Sequence, residues 1–295
     1  ETALESVVIP ASVTAIRKAA FRYCYNLSSV IFAGNQKLKE IGEWAFCETS
    51  LESVVIPASV TTIGKAAFTE CKRLSSVTFT GDMNLRTIGA GAFSGTRLHS
   101  VMIPSSVATI GEGAFRYCRR LTLVTFGGDN LKAIGEWAFS ETALASFSIP
   151  SSVTTIGADM FRYYQNLESV TIQGEEVLFK GFRTFSGTNS LKVLDMSAAK
   201  SIKFERDKDT SYFSNMGSNK SPAVIYVSSS AIMSAVEAHR SSGYLTYAVT
   251  NGGTFEENPT SNTELATPVK AGYTFAGWYS SSNFAESTKL ADNNH

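Results

Sequence analysis

The chain has 295 residues, 43% of them hydrophobic and only 18% charged, and its 26 Lys plus Arg balance its 26 Asp plus Glu. Zero net charge argues against a nucleic-acid partner, which normally requires a clear positive excess. No run of about 18 apolar residues could insert into a membrane, no signal peptide opens the chain, and three histidines with four cysteines leave little for a metal centre or a nucleophilic triad.

Periodicity sets the organisation. Leucines recur at Leu4, Leu27, Leu51, Leu74, Leu98, Leu121, Leu144, Leu167 and Leu191, in steps of 23 or 24 residues. Each opens L-x-x-V-x-[I/F], whose in–out alternation predicts a short strand. In alternate repeats Pro10, Pro57, Pro104 and Pro150 end that strand, because proline has no N–H for a ladder. The other repeats read V-x-F-x-G and place Phe32, Phe79 and Phe126 where the first set has Ile9, Ile56 and Ile103. Alternating Phe and Ile is expected to fill a stacked column without voids.

Each strand is followed by I-G-x-x-A-F, read as one helical or 3₁₀ turn with Ile16, Ala20 and Phe21 inward. Its phenylalanine recurs at Phe46, Phe68, Phe93, Phe115, Phe139, Phe161 and Phe185. Glycines once per coil (Gly42, Gly64, Gly89, Gly111, Gly135, Gly157) serve backbone geometry and not phosphate binding. One strand per coil, always in the same sense, predicts a solenoid with a parallel sheet on one side. At about 4.8 Å per strand, nine coils would span roughly 40 Å.

The eighth coil departs from the pattern. Lys180 occupies the isoleucine position, and Phe179 and Phe182 are expected to substitute as the chain approaches a cap. Residues 197–221 are polar, carry the run Glu205 to Asp209, and read as an irregular insertion. Ala223 to Val227 then form a strand, and Ser230 to His239 a short helix with Ser229 or Ser230 as N-cap. Beyond Leu245 come Gly252-Gly253-Thr254-Phe255, Thr267-Pro268 and Gly272-Tyr273-Thr274-Phe275-Ala276-Gly277-Trp278-Tyr279, a β-rich pattern.

The consensus L-x-S-V-x-I-P-x-S-V-T-x-I-G-x-x-A-F resembles the BspA-like leucine-rich repeat of bacterial surface proteins, over residues 1–195. The segment after Leu245 resembles the Listeria–Bacteroides repeat, cut before its last strand. Three regions are therefore expected: 1–196 leucine-rich repeats, 197–244 insertion and C-terminal cap, and 245–295 a truncated β-module. Glu1 to Leu4 copy the junction Glu141 to Leu144, so both ends read as cut, with an N-terminal cap, export signal and anchor expected outside the fragment. The resemblance implies a cell-surface, extracellular setting. It also implies attachment to host extracellular-matrix or cell-surface proteins, such as fibronectin and fibrinogen, or to a glycan.

Candidate sites follow from the columns. Cys24, Cys71 and Cys118 sit three residues after the turn phenylalanine, where Thr49, Thr96, Thr142 and Thr188 stand in the intervening repeats. Successive cysteines of this column would lie about 10 Å apart, two strand spacings, too far for a disulfide. A polar ladder inside the turn is favoured over a redox or metal role. Cys47 is off the column, and a bond to Cys24 is the disfavoured alternative.

His99, His239 and His295 have no repeat-fixed partner and read as surface residues. Asp207-x-Asp209-x-Ser211 lacks the glycine and distal glutamate of a calcium loop. No catalytic residue, metal or cofactor is expected. An enzyme with a cleft at the cap is the weakest alternative, and a structural spacer presenting other modules is the stronger one.

Two surfaces remain for binding. Outward strand positions form one column of Ser6, Ser29, Ser53, Ser76, Ser100, Leu123, Ser146 and Ser169, and another of Val8, Ile31, Val55, Thr78, Met102, Thr125, Ser148 and Thr171. This face is uncharged and more apolar toward its start, a plausible docking strip, although β-branched residues also simply favour strands. The candidate binding positions on it are Ser6, Val8, Ser29, Ile31, Ser53, Val55, Thr78 and Met102. An edge of basic and aromatic residues is the second candidate: Arg22, Tyr23, Arg116, Tyr117, Arg162 and Tyr163, for an acidic glycan or protein segment. The competing account of this edge is Arg–Tyr stacking between coils, with Trp44 and Trp137 packing over their neighbours.

Overall fold

The structure, a computed structural model, describes residues 3–34, 37–162, 164, 166–206, 211–218 and 223–239, together with the backbone of 245–249 and 278–279. It is a parallel β-solenoid. Two units are distinguished, Glu1–Leu144 and Ala145–His295.

In the first unit, every L-x-x-V-x-[I/F] motif forms a four-residue strand: Ser6–Ile9, Ser29–Phe32, Ser53–Ile56, Ser76–Phe79, Ser100–Ile103 and Leu123–Phe126. A second ladder, which the sequence reading did not foresee, runs through the two-residue strands Ala15–Ile16, Glu40–Ile41, Thr62–Ile63, Thr87–Ile88, Thr109–Ile110 and Ala133–Ile134. These pair in parallel, with isoleucine facing isoleucine. Isoleucine closes every one of these strands, preceded by threonine in three of them, because a short, half-buried pleat suits β-branched side chains. Each isoleucine in it is buried.

From the second coil on, each coil approaches the one before it so closely that only glycine fits after the isoleucine in this unit. A Cβ on Gly42 would lie 2.7 Å from the Ile16 carbonyl oxygen, and one on Gly89 would lie 2.6 Å from the backbone carbon of Gly64.

The I-G-x-x-A-F segment carries the i to i+3 hydrogen bonds of a 3₁₀ turn, but only on alternate residues. Ala20 and Arg22 donate to the Arg17 and Ala19 carbonyls, three residues back. Between them Ala19, Phe21 and Tyr23 donate instead to Glu43, Ala45 and Cys47 of the next coil, at 2.8–2.9 Å. Left-handed residues such as Tyr23 (φ 62°) and Trp44 (φ 55°) turn every second N–H along the stacking direction. Such a conformation costs a non-glycine residue about 1–2 kcal/mol, which the recovered inter-coil bonds offset.

On this hydrogen-bonded side the turn phenylalanines stack. Phe21, Phe46, Phe68, Phe93, Phe115 and Phe139 have successive centroids 5.2–5.4 Å apart and ring planes within 9°. Phe46 to Phe139 are fully buried. Each contributes roughly 1.5–3 kcal/mol from burial, with about 0.5–1.5 kcal/mol more from ring stacking.

The four-residue strands behave differently. They are hydrogen-bonded in twos: Ser6–Ile9 with Ser29–Phe32, Ser53–Ile56 with Ser76–Phe79, and Ser100–Ile103 with Leu123–Phe126. The ladder lapses between one pair and the next. The reason is proline. Ala33 donates its N–H to the Ile9 carbonyl at 3.1 Å, and Thr80 donates to Ile56 at 3.2 Å. The equivalent donors toward Phe32 and Phe79 would be Pro57 and Pro104, which have none. Consequently Ile9, Ile56 and Ile103 are buried whereas Phe32, Phe79 and Phe126 are only half-buried. The expected void-free Ile/Phe column is therefore not fully realised.

The second unit supplies an internal comparison. Ser169–Ile172 and Val193–Met196 are also an even-to-odd pair, but Ser197 follows Met196 where proline would stand, and these two strands do pair. Their sheet continues in parallel through Ala223–Val227, all five residues buried, to the backbone of Leu245–Val249. Trp278–Tyr279 then adds antiparallel to Leu245–Val249.

In this unit one sequence expectation is met and one is corrected. As expected, Phe179 takes over the isoleucine column in place of Lys180, as the register partner of Ile156, and Phe204 follows it. Residues 197–221 are not an irregular insertion where described. Ser201–Phe204 pairs with Glu176–Phe179, and Phe213 stacks on Phe185 with centroids 5.7 Å apart, so the coil pattern persists. Asp207 to Asp209 lie outside the described residues.

The helix is Ser230–Ala238, with the Ser229 hydroxyl as N-cap accepting from the Ile232 N–H at 3.4 Å. His239, expected at the surface, is instead buried at the helix end. Its ring stacks on Phe204 with centroids 3.7 Å apart, and its Nδ1 donates to the Ala235 carbonyl at 2.8 Å.

Gly89→Ala should destabilise the protein by about 2 kcal/mol or more, since the new methyl meets backbone that cannot rotate away. At an unconstrained site the same change would stabilise by about 0.4–1 kcal/mol. Urea unfolding followed by circular dichroism measures the difference, and an unchanged midpoint would contradict the close coil contact.

Candidate functional site

The strand face is built by alternation. With Val7, Val30, Val54 and Val101 turned inward, the residues between them turn to solvent. Val8, Ile31, Val55 and Met102 are 58%, 55%, 52% and 56% exposed, unusually high for apolar residues of this size. Ser6, Ser53 and Thr78 are exposed as well, and Ser29 is half-buried. Register places Val8 beside Ile31, Ser6 beside Ser29, and Val55 beside Thr78. All eight candidate positions thus stand on one uncharged face of the first unit.

That face is not flat throughout. At the lapse after Ser29–Phe32 the surface opens into a groove of about 570 Å³, lined among others by Ile31, Phe32, Val55, Pro57, Ala58 and Thr80. The sequence reading missed this groove. The signal was available, because a proline at a strand's last donor position withholds the bond that would hold the next coil tight.

The basic edge divides into two similar clusters in the first unit. Arg22 has its guanidinium carbon 4.3 Å from the Tyr23 ring centre and 4.7 Å from that of Trp44. Arg116 lies 4.5 Å from Tyr117 and 5.0 Å from Trp137. Trp44 and Trp137 therefore do pack over the preceding coil. Tyr23 and Tyr117 remain 41% and 36% exposed.

Arg162, in the second unit, is not equivalent. Its Nε lies 3.4 Å from the fully buried Asp159 carboxylate, which also binds Arg183 at 3.0 Å. Tyr163 lies outside the described residues. Sequence spacing gave no hint of this buried ion pair, because Asp159 replaces the Ala, Gly or Trp usual at that turn position.

The cysteine column is a polar ladder. Thr49 Oγ1 and Cys71 Sγ both donate to the Phe46 carbonyl at 3.0 Å and lie 3.2 Å from each other. Thr96 and Cys118 repeat the arrangement on Phe93. All four cysteines are free and buried, Cys24 and Cys47 included. Burial pushes the Cys71 and Cys118 thiols up to about 11, against the smaller opposing effect of the threonine hydrogen bonds. Burial also raises the Cys47 thiol, helped by Glu48 and opposed by Arg22. In the second unit burial raises the Tyr226 hydroxyl, with Asp195 adding to it.

His99 is exposed just before the strand Ser100–Ile103. Among the described residues no three His, Cys, Asp or Glu side chains gather as metal ligands. No helix among them is long and apolar enough to cross a membrane.

Comparison with known proteins bears on this arrangement. Residues 1–122 and 86–206 match the BspA type leucine-rich repeat region, in 6 copies, and residues 245–294 match the Listeria–Bacteroides repeat domain. Among solved structures, a leucine-rich repeat protein from Bacteroides ovatus is 22% identical with a TM-score of 0.54; the match covers 83% of this chain and 75% of that one. The pneumococcal vaccine antigen PcpA is 20% identical over 82% of this chain and 78% of its own, at a TM-score of 0.47. A leucine-rich cell surface protein from Faecalibacterium prausnitzii is 25% identical over 76% and 70%, at 0.43. The Bacteroides likeness shows the common fold. No curated protein matches the chain.

The raised thiols have a consequence with a definite sign. An acid whose pKa is higher folded than unfolded stabilises the fold at lower pH, and loses that contribution as pH rises through the folded value. Stability should fall between pH 9 and about 11, and a Cys71→Ala, Cys118→Ala variant should lack that part of the fall. Equal pH profiles for the two proteins, measured by chemical denaturation, would contradict the buried-thiol assignment.

Proposed function

The chain belongs to the BspA type leucine-rich repeat family, and from that membership and its open strand face we propose a non-catalytic, extracellular binding or adhesion module of a bacterial cell surface. Its partner is a host extracellular-matrix or cell-surface protein, or a glycan, taken on the solenoid surface. The observation that carries this reading is the strip of Val8, Ile31, Val55 and Met102, each more than half exposed on an uncharged face. Soluble proteins place single apolar residues at the surface freely, but four apolar residues in five successive outward positions, broken only by Thr78, mark a surface that another molecule covers.

The physics of such a strip suits docking. Covering each side chain removes apolar area from water at roughly 25 cal/mol per Å². The flanking serines supply hydrogen-bonding groups without charges that would have to be desolvated. The rim and groove between Ile31 and Val55 offer a concave entry point where a partner's apolar side chain can be held. A spacer that merely presents other modules would need none of this, and polar or charged residues would serve it better at those positions.

A triple variant, Val8→Lys, Ile31→Lys and Val55→Lys, tests the reading in an array of immobilised matrix proteins, cell-surface proteins and glycans. The unmodified chain should bind at least one partner, and the variant should lose tenfold or more of that affinity. Its thermal unfolding should be little changed, because exposed substitutions alter stability by about 0.5 kcal/mol or less. Retained binding by a folded triple variant would remove the strand face from consideration, and silence of the unmodified chain across the array would favour the spacer.

A further inference from the structure

We propose that the two clusters centred on Arg22 and Arg116 are paired sites for a carboxylate-bearing sugar, such as the acidic end of a glycan. The inference extends the binding reading to a second surface, and it does not require the strand face to hold anything.

The clusters are alike in chemistry and lie four coils apart on the same turn edge, about 20 Å at the usual strand spacing. In each, an arginine is held between two aromatic rings, Tyr23 and Trp44 for one and Tyr117 and Trp137 for the other. The two rings hold the guanidinium in place; that of Arg22 also donates to the Tyr23 hydroxyl at 2.5 Å, and the N–H groups not engaged in this way serve recognition. Planar donors in a fixed fork match a carboxylate with two parallel hydrogen bonds.

Neither arginine has a carboxylate within ion-pair distance among the described residues. Their cationic neighbours do: Lys18 pairs with Glu43 at 2.9 Å, and Arg119 with Glu141 at 2.9 Å. Arg22 and Arg116 each also keep a buried Nε without a hydrogen-bond partner. Two cations are thus pre-positioned and left without counter-charge, in a chain whose basic and acidic residues otherwise balance.

The surroundings decide the class of anion. The column that holds Tyr23 and Tyr117 places Glu48 and Glu70 in the coils between them and Glu141 in the coil after, with Glu70 paired to Lys72 and Glu141 to Arg119, so carboxylates separate the two positive centres. A densely sulfated chain or an acidic peptide would meet repulsion between the clusters, whereas a single carboxylate would not. Beside the first arginine, Tyr23 and Tyr25 stack with centroids 5.9 Å apart and planes within 20°, and they are 41% and 49% exposed. Flat, exposed aromatic faces take the apolar C–H face of a sugar ring. Charge and stacking together describe an acidic monosaccharide, and the repeat of the cluster describes a branched or multivalent glycan.

Sialyllactose, lactose, heparin and poly-glutamate, titrated into the full 295-residue chain by calorimetry or ligand-observed NMR, form the test. Sialyllactose should bind and lactose should not. The double variant Arg22→Gln, Arg116→Gln should weaken sialyllactose tenfold or more, with a circular dichroism melt showing that it folds. Arg22→Lys with Arg116→Lys keeps the charge but loses the planar fork, and should also weaken binding. The triple lysine variant of the strand face should bind sialyllactose as the unmodified chain does, which separates this proposal from the strand-face reading. No sialyllactose binding, equal binding of lactose, tighter binding of heparin or poly-glutamate, or full affinity in the double glutamine variant would each overturn it.

Discussion

Everything in the first unit depends on how closely the coils approach on the turn side. A carbon added at Gly89 would meet backbone at 2.6 Å, so one glycine per coil is a steric requirement and not a flexible joint. The same closeness lets alternate turn amides reach the next coil at 2.8–2.9 Å and brings the phenylalanine rings to 5.2–5.4 Å. Hydrogen bonding, stacking and burial thus coincide along one side. The left-handed residues that arrange the amides are affordable only because of that coincidence.

The strand side obeys a weaker constraint. Proline closes every odd strand of the first unit and removes the donor that would hold the preceding even coil. The lapse at Pro57 leaves Phe32 half-buried and opens the groove between Ile31 and Val55. In the second unit, where Ser197 stands in place of proline, the strands pair. One side is therefore a continuous spine, while the other is a set of paired strands whose outward residues are free to serve a surface role. The continuous hydrogen bonding and ring stacking of the first unit are concentrated on its turn side.

Most of the architecture was legible because repetition turns a weak local signal into a strong one. The strands, the inward Phe, the Cys/Thr ladder and the outward columns all fall where the spacing puts them. What failed to show was what breaks the repeat. Asp159 is buried against Arg183, 24 residues on, and His239 is buried against Phe204 of a different element. No periodic rule encodes them. For the candidate surfaces, the sequence supplied exposure and spacing, but not the groove and not the sandwiching of Arg22 and Arg116, which depend on how one coil's tryptophan lies over the coil before it.

The division between a tight turn spine and an interrupted strand side is tested most directly by amide hydrogen exchange read residue by residue. Slow exchange is predicted at Phe46, Phe68 and Phe93, whose N–H groups donate to the next coil. Much faster exchange is predicted at Val55 and Met102, which stand where the strand ladder lapses. Protection at Val55 and Met102 equal to that of the phenylalanines would contradict the account.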